Sequence, residues 1–369
     1  MKIPFVDLKA QYLSIKNEIN SVIQSVIDDA AFIGSVNNKY TSKFEKEFAA
    51  YLKIKHCVSC ANGTDSLEIL LRSCGIGEGD EVIVPALTWI STSEAVSSVG
   101  AIPVFVDILP NYYTINPVNI EKKISEKTKA IIPVHLYGLP AEMDEIMKIA
   151  NKYKLIVIED CAQAHGAEYK GKKIGTIGQI GFFSFYPGKN LGAYGDAGCI
   201  VTNNKNIATT ARMITNHGQL KKHEHQIEGR NSRMDGIQAA ILSVKLLYLD
   251  QWVKDRINNA QIYDKYLSGI KLKTPVVPCY SKHAFHLYVI QTDYRNKIKS
   301  LLKNNRIETG IHYPIALPFL KAYAGNNYLP ADFPVAHEAT NKILSLPMFP
   351  ELTMDQIQYI TDIIKNYLS

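Results

Sequence analysis

The chain is short of several things, and each shortage excludes a class of protein. None of its 369 residues falls in an apolar run of about 18, the length a membrane-crossing helix needs. The best late run, "IQAAILSVKLLYL", is interrupted by Lys245. The opening, "MKIPFVDLKA", lacks the long apolar region and cleavage site of a secretory signal. Cysteine is sparse: six residues, of which only Cys57 and Cys60 have metal-like spacing. No second pair answers them, so buried thiols are expected there rather than zinc. Nor does charge of one sign dominate, since 41 Lys and Arg stand against 35 Asp and Glu. The basic residues are scattered, which gives no stripe for nucleic acid, although a formal +6 suits a small anionic substrate. The expectation is a cytoplasmic protein with reduced thiols, no metal, no membrane segment and no nucleic-acid partner.

What is present is core. A hydrophobic content of 46% with 21% charged residues belongs to a folded chain, and the length suggests two or three domains. Amphipathic helices are expected over 8–28 and 39–53. Short apolar runs then follow at 56–61, 80–86, 102–107, 129–138, 154–160, 180–186 and 198–203. Helical stretches near 64–74, 89–99, 117–126 and 142–153 separate most of them. Strands rich in Val and Ile without polar alternation are buried on both faces, so helices must cover both sides of the sheet. That is the α/β layered pattern. After about residue 235 the texture changes to a long helical stretch (235–269), an alternating segment (283–291) and a helix near 294–305. A Pro-rich loop region and a final helix at 354–368 complete it. We therefore expect a large α/β domain over 1–245, with the N-terminal helices packed on it, and a smaller α+β domain over 246–369.

Chemistry concentrates in "FSFYPGKNLGAYGDAG", residues 183–198. A phosphate loop of the G-x-x-x-x-G-K-[ST] type is excluded: an aromatic residue replaces the first glycine, and Asn190 after Lys189 offers no hydroxyl to magnesium. A dinucleotide fingerprint also fails, because the glycines lead into a strand rather than opening a helix. What remains is a lysine held by a Pro-Gly turn at the end of a buried strand. Lost hydration pushes such an amine toward its neutral, nucleophilic form, which suits imine chemistry. A plain surface lysine is the competing reading of this segment alone. In "LIVIEDCAQAHG" (155–166) an apolar strand ends in Glu159 and Asp160, where open α/β sheets bind ligands. Pyridoxal phosphate needs an acid at such a place to keep its pyridine nitrogen protonated; no clear metal-ligand set accompanies the pair. In "CANGTDSLEILLRSCG" (60–75) a strand, a glycine turn and a helix start create an anion site, or an ordinary helix cap.

These motifs, with "IPVHLYG", "NSRMDGIQAA" and "GIHYP", stand in an order that resembles the sugar aminotransferases of the DegT/DnrJ/EryC1/StrS family. The similarity runs over nearly the whole chain. It implies the aspartate-aminotransferase (type I) fold of pyridoxal-phosphate enzymes: a mostly parallel mixed sheet flanked by helices, plus a smaller C-terminal domain. By resemblance, Lys189 forms the internal aldimine with pyridoxal 5′-phosphate and then shuttles the proton. Asp160 pairs with the pyridine nitrogen, and Gln163 faces the ring hydroxyl. Gly63, Thr64 and Ser184 cup the phosphate, and Trp89 stacks on the ring. Asn231 reaches the phosphate in the neighbouring subunit, which makes the enzyme a homodimer with shared sites. His312, Tyr313 and Tyr186 are candidates on the substrate side.

The resemblance also implies a reaction: amination of a ketone on a nucleotide-linked hexose, with glutamate as donor, for a bacterial glycan such as lipopolysaccharide. "KNLGAYGDAG" resembles members acting at sugar C3 rather than C4, and Lys189 argues against the dehydratase branch, which carries histidine there. "SFYPGKNLGA" is nearer the dTDP-3-keto-6-deoxyhexose enzymes, while "CANGTDSL" and "NHGQ" also occur among enzymes for UDP-3-keto-N-acetylhexosamines or their uronic acids. The alternatives carried forward are those UDP substrates, a 4-keto sugar, and a non-enzymatic pyridoxal-binding regulator.

Overall fold

Seven of the apolar runs do become strands of one sheet. The computed structural model describes residues 1–34 and 38–368. Across the sheet the strands follow the order His56–Cys60, Gly198–Thr202, Ile180–Ser184, Ile156–Asp160, Thr128–Ile131, Glu81–Pro85 and Ile102–Val106. Gly198–Thr202 runs antiparallel to both its neighbours, and every other pairing is parallel. Six C-terminal ends therefore share one edge, where ligands bind in such sheets.

Side-chain alternation explains why these strands read as unbroken apolar runs. Phe183, Val157 and Val201 enter one buried cluster with Phe44 and Phe48 of helix Lys39–Leu52. Phe182, Ile158 and Ile200 point the other way, into a second cluster with Leu67 and Leu70 of helix Gly63–Ser73. Burying each such side chain contributes roughly 1.5–3 kcal/mol, so both faces must be covered for the sheet to persist. A third cluster joins Tyr263, Ile298 and Ile360 around the antiparallel ribbon of Tyr288–Gln291 and Ile343–Leu346. Ile3 belongs to it too, held by hydrogen bonds to Arg306 and Glu308.

Several expectations are corrected in detail. The first helical stretch is two helices, Leu8–Ser14 and Lys16–Asp28, broken where Ile15 leaves helical geometry. The stretch 235–269 likewise splits into Gly236–Leu246 and Leu249–Tyr266. The run 129–138 is a strand only over Thr128–Ile131, because Pro133 has no amide with which to extend the ladder. The 283–291 segment is strand only from Tyr288. Helix Lys205–Thr215, not anticipated, starts at Asn204, whose side chain accepts from the amides of Asn206 and Ile207. The Pro-rich region contains helix Pro334–Lys342, with proline at the position where its missing N–H costs nothing.

Candidate active site

Asp160 ends its strand, and Lys189 follows the neighbouring parallel strand by five residues. The backbone folds sharply between: the Lys189 amide donates to the Tyr186 carbonyl at 2.8 Å, across Pro187 and Gly188. The Asp160 carboxylate is buried. One oxygen accepts from Thr92 Oγ1 at 3.0 Å and the other from the Ala162 amide at 3.1 Å. Burial pushes this carboxyl up from its ordinary value, against those two hydrogen bonds and the charge of Lys189. Lys189 is half-buried, and lost hydration brings its pKa down to about 8, opposed by Asp160. A base whose pKa lies near neutrality can both take and return a proton.

Helix Gly63–Ser73 opens beside this pair. Its cap, Asn62, accepts from the Asp65 amide at 2.7 Å, and no acceptor among the described residues takes the amides of Gly63 and Thr64. Only glycine fits at 63, since a Cβ there would stand 2.6 Å from Ser184 Cβ. Gly63, Thr64 and Ser184 thus form an anion cradle with the positive end of the helix behind it. Thr64 Oγ1 lies 2.8 Å from Ser91 Oγ, and Ser91 precedes the residue that holds Asp160. One helix, Ser91–Ser98, therefore links cradle and carboxylate.

Gln163 is fixed from two sides. Its oxygen accepts from the Tyr137 amide at 2.8 Å, and its nitrogen donates to the Tyr313 hydroxyl at 2.9 Å. The Trp89 ring lies 5.6 Å from that of Tyr313 and is 57% exposed, so one face remains free for a ligand ring. His312 stacks on Phe5 at 5.5 Å and shares a 2.8 Å hydrogen bond with Ser345; burial brings its pKa down to about 4. Tyr186 is exposed and contributes only backbone contacts to the turn.

Asn231 is the predicted residue that no contact brings to this group. Its neighbours show why. Arg230 pairs with Glu68 at 2.7 Å, and buried Ser232 accepts the Ala61 amide through its carbonyl at 3.2 Å. Both flanking residues fasten to this chain's own helix start, while the Asn231 side chain between them is exposed.

Sequence reasoning missed Thr92, Ser91 and Tyr137, whose partners lie far away in the chain, and it left Glu159 without a role. Glu159 is completely buried and faces away from the pocket chemistry. It accepts from the amides of Gly175, Ile177 and Gly178, each at 2.7 Å, and from His135 Nε2 at 3.0 Å. His135 Nδ1 accepts from the Ala141 amide at 3.0 Å, so the ring proton must sit on Nε2. With Cys161 these residues have metal-like proximity, but the hydrogen bonds already use the donor atoms of His135 and Glu159.

Known proteins resemble this chain over nearly its whole length. The model of the DegT/DnrJ/EryC1/StrS aminotransferase family matches residues 14–365. A Geobacillus stearothermophilus protein named a pleiotropic regulatory protein is 43% identical, over 100% of this chain and 99% of its own. An Acidithiobacillus ferrooxidans UDP-N-acetyl-3-dehydro-α-D-glucosamine 3-aminotransferase is also 43% identical, over 99% and 98%. A Streptomyces venezuelae dTDP-3-amino-3,4,6-trideoxy-α-D-glucose transaminase is 39% identical, over 99% and 96%. Among solved structures, S. venezuelae DesV in complex with a ketimine intermediate superposes with a TM-score of 0.97 at 39% identity, covering 100% of this chain and 99% of that one. The chain belongs to the DegT/DnrJ/EryC1/StrS aminotransferase family.

Proposed function

We propose that the protein aminates C3 of a nucleotide-linked 3-ketohexose, with glutamate as amino donor. It is an aminotransferase and its cofactor is pyridoxal 5′-phosphate. The observation that carries the reading is the convergence of Lys189, Asp160 and the Gly63–Thr64 helix start at one edge of the sheet. An amine of lowered pKa, a buried carboxylate and an anion cradle are what an aromatic aldehyde with a basic nitrogen and a phosphate requires. When bound, pyridoxal phosphate supplies an electron sink for the carbon that loses its proton.

This chain's residues do the rest. Lys189 Nζ would hold the cofactor's aldehyde end, and an amine whose pKa is lowered to about 8 can take and return a proton there. Asp160, its two oxygens held by Thr92 and Ala162, keeps the pyridine nitrogen protonated. Amides of Gly63 and Thr64 and the Ser184 hydroxyl receive the phosphate. Gln163, oriented by Tyr137 and Tyr313, would lie beside the ring hydroxyl. Trp89 covers the ring, and His312, Tyr313 and Tyr186 lie on the substrate side. Asn231, fastened by its neighbours yet pointing off its own chain, completes the cradle of a second subunit in a homodimer. The large unit spans 1–245 and the smaller one 246–369.

We take the nucleotide as dTDP on the strength of the residues around Lys189. A UDP-linked N-acetylated 3-keto sugar or its uronic acid is the second reading, favoured by the 43%-identical UDP-sugar relative. The test is a panel of enzymatically made 3-keto and 4-keto nucleotide sugars, each offered with glutamate, with products identified by mass and NMR. A 3-amino product is expected. Exclusive 4-amino product would overturn the position, and no product from any member would overturn the substrate class.

A further inference from the structure

Lys245 is a completely buried lysine to which the mechanism above gives no task. It lies in the last turn of helix Gly236–Leu246. Its Nζ donates to the Gly192 carbonyl at 2.6 Å and lies 4.5 Å from the centre of the Tyr194 ring. Lost hydration brings its pKa down to about 8, opposed by the carboxylate of Glu351. Burying an amine in this way is costly, and an apolar side chain of equal size would be cheaper for folding alone.

Gly192 and Tyr194 belong to the segment that presents Lys189. That segment closes on itself: the Phe185 amide donates to the Ala197 carbonyl at 2.7 Å, and the Ala193 amide to the Phe185 carbonyl at 2.8 Å. At Gly192 a Cβ would stand 2.3 Å from the Pro187 carbonyl oxygen, so the chain here rests directly on the turn that leads into Lys189. Among the described residues no backbone amide takes the Gly192 carbonyl. Seven residues before Lys245, two turns along the same helix face, Gln238 accepts from the Tyr194 amide at 2.8 Å. The helix thus grips the segment at two successive points.

We propose that Lys245 is a positioning residue for Lys189: its amine, with Gln238, holds residues 185–197 against the helix and so fixes the turn that aims the catalytic lysine. The proposal rests on the reading of Lys189 given above. Lys245→Met keeps length and apolar contact but removes every donor; Lys245→Arg keeps a donor and a charge. Deuterium uptake by peptides covering 185–197, measured on protein freed of cofactor, reports the segment itself. Steady-state kinetics with glutamate report the aim of the lysine.

For Lys245→Met we expect faster uptake confined to 185–197. We also expect a fall in kcat on the order of 10- to 100-fold, the cost of misplacing a reacting group by about an ångström, with KM for glutamate little changed. Lys245→Arg should recover part of both. Normal exchange and normal kcat in Lys245→Met would overturn the proposal, as would uptake raised equally across the whole sheet or an arginine variant no better than methionine. If Lys245→Met does not fold, Gln238→Ala must show the same local uptake, or the proposal falls. Lys189→Ala separates the two readings: a dead Lys189→Ala with an unimpaired Lys245→Met removes only the positioning role. An active Lys189→Ala removes the reading of the site beneath it.

Discussion

Two adjacent carboxylates, Glu159 and Asp160, should answer the same substitution in opposite ways. Strand alternation sends one to each face, and the structure gives them different partners. In Glu159→Gln one acceptor oxygen becomes an NH2 group inside a site with no solvent. Turned toward Ile177 and Gly178, that nitrogen faces two amide donors that previously met an oxygen at 2.7 Å. Turned the other way, it meets the Gly175 amide and the His135 proton, which cannot move to Nδ1 because the Ala141 amide points there. Either orientation strands two buried donors. At about 1–3 kcal/mol for each, the loss is roughly 2–6 kcal/mol of folding stability.

Asp160→Asn strands nothing. The new amide oxygen can accept from Ala162, its nitrogen can donate to Thr92 Oγ1, and the Thr92 hydroxyl can turn to Thr88 Oγ1 at 3.3 Å. The carboxyl it replaces is held above its ordinary pKa by burial, so removing the charge relieves desolvation. Stability should be equal or slightly higher. Turnover should fall by at least about a hundredfold, because a neutral amide cannot keep the pyridine nitrogen protonated. Urea midpoints, measured at one protein concentration without added cofactor, and single-turnover rates with glutamate give both axes. A Glu159→Gln loss below about 1 kcal/mol, or an Asp160→Asn variant of full rate, refutes the assignment of faces.

Four further outcomes follow from the same reading. Lys189→Ala should lose both transamination and the absorption of the covalently held cofactor; a variant that keeps them removes Lys189 from the centre. Cofactor uptake by the apo protein needs the neutral amine, so its rate should climb about tenfold per pH unit and level near pH 8, and a climb that continues to pH 10 contradicts the burial argument. Because the unfolded chain binds more protons than the folded one between about pH 8 and 10.5, Lys189 should also make stability rise with pH across that window. Finally, inactive Lys189→Ala and inactive Asn231→Ala chains, mixed and allowed to exchange, should regain activity, since one of two shared sites would be intact. Mixtures that stay dead return Asn231 to an ordinary loop residue.

How far the site was legible in the sequence depended on how far apart its partners lie. Glu159 and Asp160 were visible as carboxylates ending an apolar strand, and the glycine turn before Thr64 was visible as an anion site. Both are local signals, a strand end and a helix start, written in consecutive residues. The assignment of Asp160 rather than Glu159 to the pocket was different. A strand buried on both faces shows no polar alternation, so its residues do not say which face meets the ligand. That choice came from resemblance, and the structure supplies its physical ground: the Glu159 face is filled by the 174–178 turn, which brings three amides to one carboxylate. Thr92 meets Asp160 across 68 residues and Tyr137 meets Gln163 across 26, and no periodicity announces such contacts.

Lys245 shows the same limit from the other side. In the sequence it is a flaw in an apolar helix, useful only for ruling out a membrane span. In the fold that flaw is an amine 53 residues from its acceptor, lodged against a carbonyl of the segment carrying Lys189 that no backbone amide among the described residues takes. A polar residue inside an apolar run costs stability wherever it is buried, so its presence calls for a partner that the local sequence does not contain. The residues that break the pattern of a core are therefore where a long-range contact is to be sought first, and here that contact leads to the turn before Lys189.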